Sequence, residues 1–137
     1  MIEEAYVSFE TAKLLKEKGF EIDTTKDYWK IGPDGTKYFM CSIGAYTSDI
    51  NNKTAYYRPA DSYPCPTQQM AMRWLREVHN VHIEIDPDWV SKPEFKIIGY
   101  AFDIHSKDDP WYEHMTEYST YEEAVEEAIK YCLNNLI

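Results

Sequence analysis

Cysteine is scarce in this chain. Cys41, Cys65 and Cys132 are odd in number and show no CxxC spacing. A disulfide framework or zinc ribbon is therefore not expected, and a reducing, cytoplasmic setting fits. Also missing are a Walker loop, GxGxxG, GxSxG and HExxH, which removes nucleotide, dinucleotide, serine-hydrolase and zincin readings. No apolar run approaches the length that spans a bilayer, and Met1-Ile2-Glu3-Glu4 lacks the regions of a signal peptide. The expectation is a soluble protein with no membrane contact.

Positive charge is scarce in one half. Residues 1–76 hold ten acidic and ten basic side chains, whereas residues 77–137 hold fourteen and four, giving −10 overall. Such a surface repels phosphate backbones and anionic lipid, so nucleic acid is disfavoured as a partner. The acidity reads either as a solvated face that keeps the protein in solution or as a surface for a basic partner, nucleic-acid mimicry included.

What is present reads as a globular chain. Its 137 residues are 44% hydrophobic and 15% aromatic, enough for a core without staples. The expectation is a single α+β domain over residues 1–137. Three capped helices are written into it. Ser8 caps the first, with Phe9, Ala12 and Leu15 on one face, Gly19 as a left-handed stop and Phe20 folding back on Leu15. Tyr63-Pro64-Cys65-Pro66 forces an extended approach to the second, which Thr67 caps. Its apolar stripe is Met70, Ala71, Trp74, Leu75 and Val78, and Asn80 is its exit. Thr120-Tyr121-Glu122-Glu123 is a capping box opening the third, whose apolar face holds Tyr121, Ala124, Val125, Ala128, Ile129, Cys132 and Leu136.

The strands are read from period-two alternation. Tyr28–Ile31 and Thr36–Met40 flank Gly32-Pro33-Asp34-Gly35 as a hairpin. Ser48, Asp49, Asn51 and Asn52 read as loop, and Thr54–Tyr57 as a short strand. In 81–85, Val81, Ile83 and Ile85 share one face and His82 with Glu84 the other. Asp86–Glu94 reads as a loop with Pro87 and Pro93 as breakers and Trp89 over the core edge. Phe95–Ile104 is a strand that pairs antiparallel with 81–85, while 105–118 shows no period. The architecture expected is a mostly antiparallel sheet with about three helices on one face, the second half running helix–strand–strand–helix. Trp74, Leu75, Val78, Ile83, Tyr100, Phe102, Val125 and Ile129 form its core.

No catalytic residue, cofactor or metal ligand set is assigned. The candidates for any site are His82, Glu84, Asp103 and His105, which alternation places on one sheet face. His79-x-x-His82 straddles a helix end and a strand, a poor geometry for shared ligation. Cys65, ahead of a helix N-terminus, is the most reactive cysteine by position and would need His79 or His114 to act as a nucleophile.

Three stretches, "SFETAKLLKEKGF", "PTQQMAMRWLREVHNVHIEI" and "YSTYEEAVEEAIKYCLNNLI", occur in an order that resembles small phage and prophage proteins of gut Bacteroides-type bacteria. That group brings no activity or site residue with it. The resemblance implies a mobile-element protein in the cytoplasm of a bacterial host. The leading expectation is a non-enzymatic accessory or interaction protein with a protein partner, its oligomeric state open. The alternatives are a small enzyme or ligand- or metal-binding domain at His82, Glu84, Asp103 and His105, and an acidic nucleic-acid mimic. The mimic requires phosphate-like carboxylate spacing along the last helix.

Overall fold

Among the described residues of this computed structural model, local caps and β-alternation assemble into an α+β fold of three helices and antiparallel sheets. The structure describes residues 2–31, 37–42, 47–50, 53–56 and 62–137, with some strand side chains left aside. Contacts divide the chain into two compact units. Tyr6–Pro66 forms one, here the insert. Met1–Ala5 with Thr67–Ile137 forms the other, the flanking unit.

The insert opens with α1 (Phe9–Glu17). Ser8 Oγ accepts from the Thr11 amide at 3.3 Å. The far end closes as expected: Gly19 takes φ +93°, a conformation that strains any residue with a Cβ, and the Phe20 amide donates to the Leu15 carbonyl at 2.9 Å. Next come β1 (Lys26–Ile31), β2 (Lys37–Ser42), β3 (Thr47–Ile50), β4 (Lys53–Tyr56) and β5 (Tyr63–Pro64). β1 lies between β2 and β5, with Ile31 opposite Lys37; β3 and β4 pair separately.

The expected turn at 32–35 lies outside the described residues, as do Asn51, Asn52 and Tyr57. Ser48 and Asp49, expected in a loop, belong instead to β3, where ladder pairing with β4 overrides their weak strand propensity. Phe9 stacks on Tyr38 at 4.4 Å and meets Tyr28 and Tyr63 edge-on, so the hairpin aromatics pack against α1. Asp27 is fully buried and accepts from Thr24 Oγ1 and Trp29 Nε1, both at 3.3 Å. Buried carboxylates persist only with such donors.

The flanking unit runs α2 (Gln68–His79), β6 (His82–Val90), β7 (Lys96–His105), β8 (Tyr112–Tyr118) and α3 (Tyr121–Asn135). Thr67 caps α2 by accepting from the Met70 amide at 3.1 Å, and Asn80 leaves it at φ +54°. Thr120 caps α3 by accepting from the Glu123 amide, while the Glu123 carboxylate takes the Ser119 hydroxyl at 2.8 Å. The strands form an antiparallel sheet in the order β6-β7-β8. In register, Ile83 faces Ile104 and Ile85 faces Phe102, so these four share one face. That is the helix-covered face: Tyr100 meets Tyr121 of α3, and Tyr112 stacks on Tyr131 at 4.2 Å.

Of the expected core, Trp74, Leu75, Phe102, Val125 and Ile129 are buried there and Ile83 and Tyr100 are half-buried, while Ile104 and Leu133 join the buried set. Gln68, also buried, ties α2 to α3 by donating to the Glu122 carbonyl at 2.8 Å and to Glu126 Oε2 at 3.3 Å.

Four expectations change. Val78 is 60% exposed: it stands off the inward face that Ala71, Trp74 and Leu75 share, while Val81 beyond it is buried. Met70, at 36%, sits at the edge of that stripe. The expected loop after Ile85 is strand as far as Val90. Proline is tolerated where a strand has no neighbour to donate to, and β6 is an edge of its sheet. Residues 112–118 form a third strand in a segment without apparent period.

Candidate functional site

The sheet face turned away from α2 and α3 carries the chemistry. Alternation along β6 puts His82, Glu84, Asp86 and Asp88 on it. Antiparallel register sets His82 opposite His105, Glu84 opposite Asp103, Asp86 opposite Ala101 and Asp88 opposite Gly99. The four candidates therefore form two adjacent cross-strand pairs, as alternation implied. The backbone register sets Glu113 of β8 opposite Asp103. Glu117 reaches the same face: a Cβ added to Gly99 would collide with its carboxyl group.

His105 is the best-defined group of the four. Its Nδ1 lies 2.8 Å from the Pro110 carbonyl, a pure acceptor, so Nδ1 carries a proton in both charge states. Nε2 then faces Glu84 Oε2 at 3.5 Å, and protonating it completes an ion pair. The Pro110 carbonyl, followed by Glu84, holds the imidazole pKa above its ordinary 6.5. A raised value in the folded state means that the associated stability is fully present below pH 6.5. It fades as pH rises through the folded value. A histidine NMR titration should place the His105 inflection above 6.5, and Glu84→Gln should lower it. An inflection that Glu84→Gln leaves in place would remove the pair.

His82 turns elsewhere, with Nε2 3.1 Å from Asn80 Oδ1. Among the described residues no group of three or more His, Cys, Asp or Glu side chains converges to hold a metal ion. His79 packs its ring edge-on to Trp74 at 4.6 Å. The side chains of Cys41 and His114 lie outside the described residues. Cys65 is fully buried, its thiol 3.5 Å from the Val7 carbonyl and 3.6 Å from Met40 Sδ, so position before a helix does not make it accessible. Burial pushes the Cys132 thiol up to about 12.

Three of the four carboxylates of α3 have local partners. Glu123 takes the Ser119 hydroxyl, Glu126 receives Gln68, and Glu127 lies 3.6 Å from Lys130. A cavity of about 120 Å³ lies at the starts of α2 and α3, lined by Glu4, Thr67, Gln69 and Glu122 among others.

The feature missed from sequence is the β6–β7 hairpin tip. A register shift between Asp88 and Trp89 reshapes the ladder there. Beyond it Trp89 (55% exposed), Val90 (40%), Phe95 (68%) and Ile98 (48%) stand in solvent, the Trp89 and Phe95 rings 5.9 Å apart. At the other end of the sheet Trp111, also exposed, lies 5.8 Å from the His105 ring. The usable signal was the alternation of His82, Glu84, Asp86 and Asp88 straight through Pro87.

No family model matches the chain, and neither a curated protein nor a solved structure does. Among the described residues no helix is long and apolar enough to cross a membrane.

Proposed function

We propose that the chain is a protein-interaction protein rather than an enzyme, an accessory protein of a phage or prophage acting inside its bacterial host. One observation carries the reading: the β6–β7 hairpin ends in a cluster of exposed Trp89, Val90, Phe95 and Ile98. Large apolar side chains grouped at a projecting tip lose free energy in water and gain it in a partner's pocket, and aromatics dominate the binding energy of interfaces. His82, Glu84, Asp103 and His105 lie on the open sheet at the end away from that tip, which suits a contact surface better than the enclosed site that acid–base chemistry needs. The order of the three helix-bearing stretches, like that in phage and prophage proteins, supports the setting.

The test is a photo-crosslinking residue in place of Phe95, irradiated in lysate of a Bacteroides-type host. The control carries it in place of Glu17, an exposed position on α1. A discrete adduct is expected from position 95 and not from 17, and Trp89→Ser should abolish it. Equal background from both positions would end the reading.

A further inference from the structure

We propose that the helix-free face of the β6-β7-β8 sheet docks an extended, lysine- and arginine-rich segment of a partner protein. This rests on the interaction reading and adds the chemistry of the partner. Sign segregation is the first argument. The three strands contain Glu84, Asp86, Asp88, Asp103, Glu113 and Glu117, against a single Lys or Arg, Lys96, near the hairpin tip. Register and alternation put Glu84, Asp86, Asp88, Asp103 and Glu117 on that one face, whereas a surface serving solubility alone intersperses both signs.

Glu84 sits directly opposite Asp103. Like charges opposed across strands oppose folding, and cations laid along the row relieve that repulsion. Spacing supplies the second argument. Glu84, Asp86 and Asp88 recur at every second residue of β6, about 6.8 Å apart. An extended peptide presents alternate side chains at the same repeat. Exposed indoles stand at both ends of the sheet, Trp89 beside Phe95 and Trp111 beside His105, and offer ring faces to Lys and Arg. Nucleic acid and anionic lipid carry the same sign as this face and are repelled by it.

The probe is a synthetic peptide of alternating Lys and Ser. Its controls are an alternating Glu and Ser peptide and one with the same lysines in a single block. Binding to the full chain is read by NMR shift mapping and by tryptophan fluorescence titration at low and high salt. The alternating basic peptide should bind tightest, shift β6 and β7 amides, and weaken with salt. The triple variant Glu84→Gln, Asp86→Asn, Asp88→Asn should weaken it by about tenfold, the worth of three exposed ion pairs. Glu3→Gln, Glu17→Gln, Glu21→Gln removes the same charge elsewhere and should leave binding unchanged.

Equal losses in both triple variants would reduce the effect to net charge and overturn the proposal. So would shifts that avoid the sheet, equal binding of the acidic peptide, or a dimer in sedimentation that covers this face and resists the basic peptide. If the peptide fails while the position-95 adduct persists, the cationic partner falls and the interaction reading stands. If the adduct fails while the peptide binds, the hairpin tip drops out of the contact and the acidic sheet face carries the interaction alone.

Discussion

Trp74→Ala is expected to destabilise the flanking unit by about 3–5 kcal/mol, the range for deleting a buried aromatic. Trp74 is 4% exposed on the inward face of α2 and carries the His79 ring edge-on against it. Removing the indole strips apolar area from the core and leaves a void that the capped helix, fixed by Thr67 at one end and Asn80 at the other, cannot collapse to fill. The midpoint of urea unfolding should fall accordingly. Val78→Ala on the same helix is the internal control. At 60% exposure it should cost less than about 0.5 kcal/mol. Similar costs at the two positions would mean that α2 does not pack as described.

Phe102→Ala should be as damaging, about 3–5 kcal/mol. Phe102 is 1% exposed in the central strand, paired with Ile85 and stacked on Tyr118 at 6.1 Å. Its loss opens the sheet–helix layer from the sheet side. Cys132 reports that opening, because its buried thiol reacts only when α3 lifts from the sheet. Modification at Cys132, read by peptide mass mapping, should accelerate by about two to three orders of magnitude in the variant. An unchanged rate would separate Phe102 from the layer that buries Cys132.

Elements set by local chemistry were legible in the sequence. Ser8, Thr67 and Thr120 cap where the sequence puts caps, and Gly19 and Asn80 take the positive φ expected of them, because each depends on neighbours within one turn. What escaped depends on distant pairing. β8 hides because its register against β7 slips between Tyr100 and Phe102, so its residues do not alternate cleanly. The far half of β6 hides behind Pro87, whose missing N–H matters only if a strand lies alongside.

The candidate site was half legible. Alternation placed His82 and Glu84 on one face and Asp103 on another strand's outer face. Setting Glu84 against Asp103 rather than a residue on the helix side required the register itself, since a slip of one residue reverses every side chain. Trp89 falls in the expected loop and Phe95 opens the expected strand, so nothing in the sequence pairs their exposure.

The Ala5 carbonyl accepts from the Gln68 amide at 2.8 Å, and two residues inside that rung the Val7 amide donates to the Pro66 carbonyl at 3.1 Å. The backbone thus leaves the flanking unit and returns to it across the width of a hydrogen-bonded pair. Ends that close are what a chain needs to carry a folded segment between two of its neighbouring residues, so the length of Tyr6–Pro66 can change without altering the register of β6, β7 and β8.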